Sequence, residues 1–195
     1  MSTNSPPTRV RLLNATLKLL AIKPGHKVTM ADIAREVGLS RQAVYLHFSS
    51  RSQLLVAAFQ HLDESVKLNS RMKGFRKAKH AQQRLSRFIT FWGQYLPEIY
   101  GVSRALMVAQ AHDPAAAQAW AARLSALRDG CSTVIDGLHA EGLLAKGWSR
   151  TTGTDGLCAM LSVSSWEMYS RQCGWSDEDY IKRMKKMARS TFIRS

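Results

Sequence analysis

The stretch TMADIAREVGLSRQAVYLHF, Thr29 to Phe48, decides the reading of this chain. Thr29 is an N-cap residue, and Asp32, three positions on, completes a capping box. Ile33, Ala34 and Val37 give a short helix its buried side. Gly38 supplies the left-handed C-cap that a residue with a Cβ adopts only at a cost. Ser40 caps a second helix, which Val44 and Phe48 pack down. The rest of that helix is polar at its front: Ser40, Arg41, Gln42 and Ala43 have nothing to pack on. Two short helices around a glycine turn are the helix-turn-helix arrangement, whose second helix can enter the DNA major groove N-terminus first, although ordinary helical hairpins also contain a glycine turn. Arg41 then suits guanine O6 and N7, and Gln42 suits adenine N6 and N7. Ala43 lets the helix approach closely. Ser40 sits where the free N–H groups of the helix favour a phosphate. Tyr45, His47 and Arg51 face one sugar-phosphate strand, with Lys27 and Thr29 gripping the backbone from the other side.

Working outward, the predicted architecture is all-α, with about nine helices. A polar tail, residues 1–7, precedes a helix carrying Val10, Leu13, Leu17 and Leu20, which ends at Pro24-Gly25. Ser50 and Gln53 give another capping box, opening a helix through Phe59 and Leu62. The basic, glycine-containing RMKGFRKAKH, residues 71–80, reads as a loop. A helix through Leu85, Phe88, Trp92 and Tyr95 is interrupted by Pro97 and resumes through Val102 and Leu106. Asp113-Pro114 opens a long helix whose stripe is Trp120, Leu124, Leu127, Cys131, Val134, Ile135 and Leu138. A helix from about Thr152 to Arg171 follows. Ser176 caps the last, with Ile181, Met184, Ala188 and Phe192 inward.

Charge points the same way. The 195 residues carry a formal net charge of +14. Residues 1–80 hold 14 Lys/Arg against 4 Asp/Glu, or +10; residues 81–195 hold 14 against 10, or +4. A basic front end suits a polyanion. Three widely spaced cysteines without a CxxC pair argue against a disulfide framework and for a reducing cytosol. No leader pattern and no bilayer-length apolar run appears, so a cytoplasmic protein without membrane contact is expected. The six histidines form no metal-ligand pattern, and no HExxH, GxSxG or phosphate-loop motif occurs. No cofactor and no catalytic site is expected. An enzyme built on Cys131 and His139 lacks a third, orienting group.

The stretch VTMADIAREVGLSRQAVYLHFSSRSQLL closely resembles the DNA-binding domain of TetR-family transcriptional regulators. The shared features are Thr29, Ile33-Ala34, Gly38, Tyr45-Leu46-His47-Phe48 and Arg51, within about residues 8–60. Arg51 stands where Lys is frequent, and Ala43 where Gly, Ser or Thr is frequent, which removes one side-chain hydrogen bond. The resemblance implies a three-helix DNA-binding domain over residues 1–50. Residues 51–195 would form a larger helical domain that dimerises and encloses an effector. It implies a homodimer, paired through about residues 152–194 in a four-helix bundle, on a palindromic double-stranded operator. Gly153, Gly156, Ala159, Ser162 and Ser165 would permit close approach there. A repressor follows from the same likeness. Effector binding would move a connecting helix, about Ser50 to Ser70, and change the spacing of the two heads. Candidate effector contacts are Trp92, Tyr95, Met107, Gln110, Trp120, Leu124, Leu127, Cys131, Met160, Trp166 and Tyr169. Few acids lie on these faces, so a neutral or apolar small molecule is expected. The rival reading is a nucleic-acid-binding protein without an effector, using the basic segment Lys73 to Lys79.

Overall fold

The computed structural model describes residues 6–22, 24 and 27–194. The tail residues 1–5, together with Gly25 and His26, lie outside the described residues. In chain order the helices are α1 (Thr8–Ile22), α2 (Met30–Val37), α3 (Arg41–His47), α4 (Arg51–Ser65), α5 (Leu68–Arg76), α6 (Ala81–Ala109) and α7 (Pro114–Ala140). Then come α8 (Arg150–Met160), α9 (Val163–Glu167), a π-helical turn (Met168–Gln172) and α10 (Asp177–Phe192). With the interrupted run 150–172 counted as one helix, the described residues form nine helices and no strand. None of these helices is long and apolar enough to cross a membrane.

The chain divides into two compact units. The first takes in the chain up to Val66 together with Ile99–Ala122. Its core is Leu12, Leu13 and Leu20 of α1, Ile33 and Ala34 of α2, Val44 and Phe48, and Leu54, Leu55, Ala58 and Phe59 of α4. Helix α1 packs on both α2 and α4, and α2 packs on α3. Gly101 of α6 meets the end of α1 so closely that a Cβ there would lie 2.6 Å from the Leu20 carbonyl oxygen. Asp113 caps α7 by accepting from the Ala115 and Ala116 amides at 2.9 and 3.2 Å. The Ser52 hydroxyl also donates to this carboxylate and, with those amides, holds it below the usual carboxylate range.

The second unit comprises Lys67–Glu98 and Arg123–Ser195. Phe75, Phe88, Phe91, Trp92 and Tyr95 form one ring cluster, with Phe75 edge-on to Phe88 at 5.0 Å. On α10, Met184, Ala188 and Phe192 are buried as expected, Ile181 is half-buried, and Tyr180, absent from the predicted stripe, is fully buried. The Arg194 amide donates to the Leu143 carbonyl, and the Ala145 amide to that of Phe192.

Several expectations need correction. Residues 71–80 are not a plain loop: α5 runs to Arg76, because Phe75 turns inward and anchors it. Pro97 does not interrupt α6, which continues to Ala109. Proline costs one amide donor, and buried Leu96, Ile99 and Tyr100 on either side hold the helix together. The helix expected over Ser50 to Ser70 breaks at Lys67, which has a left-handed φ of 51°. The helix expected from Thr152 to Arg171 breaks at Leu161–Ser162, where Ser162 caps α9 and the Ser165 hydroxyl donates to the Ala159 carbonyl. Leu124 leaves the α7 stripe and is 47% exposed.

Candidate nucleic-acid interface

The helix-turn-helix is built by local hydrogen bonds. The Asp32 amide donates to Thr29 Oγ1 at 3.2 Å, and Asp32 Oδ2 accepts from the Thr29 amide at 2.9 Å and its hydroxyl at 2.6 Å. Both halves of the expected capping box are therefore present. Gly38 adopts φ 71° and ψ 36°, and its amide donates to the Ala34 and Arg35 carbonyls. Arg11 reaches over from α1 and donates to the Val37 carbonyl at 2.7 Å. Ser40 caps α3 by accepting from the Ala43 amide. The turn between the helices is thus fixed from both sides.

With α3 so placed, Val44 and Phe48 are buried and the opposite face is open. Ser40, Arg41, Gln42, Tyr45 and His47 are exposed, and Ala43 is half-buried. Arg41 is braced rather than loose. Its Nη2 donates to Tyr45 Oη at 3.3 Å, and its guanidinium lies 5.5 Å from the centre of the Tyr45 ring. Hydrogen bonding to Tyr45 raises the already high guanidinium pKa. The bracing takes one turn of helix, since Arg41 and Tyr45 are i and i+4.

The remaining candidates differ in their freedom. Lys27 is exposed. Thr29 has its hydroxyl committed to the capping box. Arg51 is half-buried, and its Nε donates to the Val28 carbonyl at 2.6 Å. Burial lowers its pKa, while the bond ties the start of α4 to the segment before α2. The second expected box is shifted by one residue: Ser50 accepts from the Gln53 amide, but Gln53 Oε1 accepts from the Ser49 amide instead of that of Ser50.

Sequence reasoning gave no role to two residues of this face. Leu46 is 85% exposed at the tip of α3. The signal was present: Val44 and Phe48 point inward, so the residue between them points outward. Arg9 lies 5.1 Å from the centre of the Phe48 ring, which places a cation beside the end of α3. The nearby acids are engaged, Asp32 by Thr29 and Arg35, and Glu36 by Lys18 at 2.6 Å.

The expected effector contacts fall in both units. Met107, Gln110 and Trp120 belong to the first; Trp92, Tyr95, Leu124, Leu127, Cys131, Met160, Trp166 and Tyr169 belong to the second. Tyr95, Trp120, Leu127, Cys131 and Trp166 are buried. Trp92, Met107, Met160 and Tyr169 are half-buried, while Gln110 is exposed just past α6 and donates to the Met107 carbonyl of that helix. Of the small residues expected at a dimer face, two pack on their own chain. A Cβ on Gly153 would stand 3.1 Å from Ile135, and one on Gly156 would stand 3.1 Å from Trp148. Among the described residues, no group of three His, Cys, Asp or Glu is placed to hold a metal ion.

Residues 12–58 match the family described as bacterial regulatory proteins, tetR family. A relative, the nucleoid occlusion factor SlmA of Marinomonas sp. (strain MWYL1), is 32% identical over 66 residues, 34% of each chain. The chain thus spans about a third of the length of such curated relatives. A solved transcriptional regulator from Saccharomonospora viridis in complex with choline superimposes with a TM-score of 0.80 at 16% identity, covering 96% of this chain and 98% of that one. A TetR transcriptional regulator from Chloroflexus aurantiacus gives 0.73 at 18% identity, covering 96% and 97%. The chain therefore carries, over residues 12–58, the N-terminal domain of the tetR family of bacterial regulatory proteins, on a fold it shares almost end to end with the solved TetR regulator from Chloroflexus aurantiacus.

Proposed function

We propose that this protein is a homodimeric, sequence-specific transcriptional regulator, a TetR-type repressor that a small effector releases from a palindromic operator. The observation that carries this reading is α3, whose open face presents Arg41, braced on Tyr45, beside Gln42. A braced guanidinium loses less freedom on docking, which suits base-edge recognition. Ser40, Tyr45, His47, Arg51, Lys27 and Thr29 take the phosphate strands, with Ala43 allowing close approach. By role, residues 1–50 are the reading head and residues 51–195 the regulatory and dimerising part. A second copy pairs through about residues 152–194, and the twofold matches the operator palindrome. Glycines 153 and 156 are used within the chain, so the pairing face rests on exposed residues such as Thr152, Asp155 and Ala159.

The effector of this reading is neutral or apolar. Among the described residues, the buried polar or charged residues are Thr16, Ser52, Ser103 and Thr154, and none is an acid. The reading assigns no catalysis.

A second reading, DNA binding without an effector, draws on the basic segment Lys73 to Lys79, where Lys73, Lys77 and Lys79 are exposed. Selection from a randomised duplex pool separates the two. Recovery of a palindrome, with Arg41→Ala and Gln42→Ala weakening it far more than random DNA, supports the regulator. Binding without a motif, fading only with salt, overturns base reading.

A further inference from the structure

Charge gathers at one end of the second unit. Residues 81–179 hold 8 Lys/Arg against 10 Asp/Glu, or −2, whereas residues 180–195 hold 6 against none, or +6. Five of those six lie on α10: Lys182, Arg183, Lys185, Lys186 and Arg189. Elsewhere in the unit Arg71 pairs with Glu98, Arg128 with Asp155 and Arg150 with Asp136. On α10 itself, Arg183 lies 5.0 Å from the centre of the Trp175 ring. Among the described residues, no carboxylate pairs with Lys185, Lys186 or Arg189.

These three cations edge a groove between α6 and α10. The two helices meet closely at one end, where an added Cβ on Gly93 would overlap Ile181. Further along, towards Gln82 and Ile193, they part around a groove of about 360 Å³. Leu85 and Ile89 of α6 are its buried floor, and half-buried Ile193 closes the far end. Lys185, Lys186 and Arg189 stand along the α10 side, with Gln82 and Ser86 opposite on α6. Lys185 is half-buried, while Lys186 and Arg189 are exposed. Side chains of this kind lay apolar stems along a wall and keep their charged heads at the rim. No acid lines the groove. Glu141, which reaches the start of α6, is committed to the Ala81 amide at 2.8 Å.

We propose that this groove binds a small organic phosphate monoester, with its phosphate on Lys185, Lys186 and Arg189 and its apolar body over the Leu85, Ile89 and Ile193 floor. A phosphate monoester carries a charge of about −1.5 to −2 at pH 7 and three strong acceptor oxygens. That matches three cations with no carboxylate of their own. Arg189 supplies a planar fork that takes two phosphate oxygens at once, while the two lysines act as point charges. The apolar floor favours an ester over the free ion, because inorganic phosphate gains nothing from leucine and isoleucine. The volume falls at the lower end of the small-molecule range, about 300–1,000 Å³.

None of the groove's lining residues is among the effector or DNA contacts of the proposed regulator. The inference therefore stands or falls apart from that reading, and its ligand is anionic where the proposed effector is neutral or apolar. Helix α10 does belong to the run assigned to dimer pairing. The test is accordingly made on the full chain in its native oligomeric state, in which a second copy seated over the groove would shut it.

Titration calorimetry compares four probes: 1-naphthyl phosphate, 1-naphthoate, 1-naphthol and inorganic phosphate. The expected result is saturable binding of 1-naphthyl phosphate, one per chain, tighter than 1-naphthoate or inorganic phosphate, with no binding of 1-naphthol. Lys185→Gln with Arg189→Gln should weaken it at least about tenfold, the scale of a lost charge-assisted hydrogen bond. Lys77→Gln with Lys79→Gln makes the same charge change at exposed sites outside the groove and should leave binding unchanged. Arg189→Lys should fall between, because it keeps the charge and loses the fork. Ser86→Leu should block the groove with all three cations in place; if it does not fold, the two charge pairs still decide. Equal binding of inorganic phosphate, equal binding of 1-naphthoate, equal loss in both double variants, or no binding at all would each overturn the proposal. Further arms offer an oligoglutamate peptide, phosphatidylglycerol vesicles and a random DNA duplex. Tighter binding of any of these, lost in the Lys185 and Arg189 double variant, gives the groove to another occupant and likewise overturns it.

Discussion

Replacing Gly38 with Ala separates backbone cost from steric cost in the reading head. Gly38 sits at φ 71°, and an added Cβ would find nothing within 4 Å. The whole penalty is therefore conformational, about 1–2 kcal/mol for an L-residue in the left-handed region. Against it stands a gain of about 0.4–1 kcal/mol from the stiffer unfolded chain. The net loss should be about 0–1.6 kcal/mol, and Gly38→Asn should lose less, because Asn tolerates this conformation. Gly101→Ala in the same unit is the control. Its Cβ would lie 2.6 Å from a backbone oxygen that has no rotamer to escape into. Overpacking of this kind costs about 1–3 kcal/mol, and Asn there should be worse than Ala. Urea denaturation, followed by far-UV circular dichroism with unchanged slope, reads all four variants. The reverse ranking of Ala and Asn at either site would refute the assignment of turn and contact. So would a loss at Gly38→Ala well above about 2 kcal/mol, which a purely conformational penalty does not reach.

Other outcomes follow from individual contacts. Arg51→Ala should lower affinity for operator and random duplex alike and reduce the salt slope by about one for one lost phosphate contact. Arg51→Lys keeps the charge but loses the Nε donor to Val28, so it should lower stability by about 0.5–1.5 kcal/mol, measured by denaturation, while keeping most of the salt slope. Thr29→Ala removes the N-cap of α2 and should cost about 1 kcal/mol, read the same way. Asp113 has a lowered folded-state pKa, from the Ser52 hydroxyl and then the amides of α7. Its contribution is present above the ordinary Asp value of 3.8 and is lost as pH falls through the lower folded-state value. Ser52→Ala should flatten that acid-side dependence in thermal melts taken across pH.

The reading head was legible because its information is local. Thr29, Gly38, Ser40, Val44 and Phe48 each act within a few residues of their own position, and the structure places all five as caps, turn or core. Where sequence reading failed, the deciding contact lay elsewhere in the chain. Nothing in RMKGFRKAKH announces that Phe75 will meet Phe88 edge-on and stack on Phe91, which turns part of that basic segment into helix. Pro97 looked like a stop because the buried residues flanking it had no visible partners.

Charge shows the same division between counting and placement. The sum over residues 1–80 pointed to the front of the chain, yet much of that charge is spent on structure. Arg11 holds the Val37 carbonyl, Arg51 holds the Val28 carbonyl, Lys18 pairs with Glu36, and Arg9 lies against Phe48. Arg41 is also held, but by Tyr45 on its own exposed face, so its bracing leaves it presented outward. In the proposed reading, net charge supplies the attraction to a polyanion, whereas discrimination falls to the few side chains that α3 turns outward. Under that reading, cations that secure the turn act on affinity indirectly, by keeping α3 at its angle. Their removal should weaken binding through stability as well as salt slope, whereas loss of Arg41 should weaken operator binding with the fold intact.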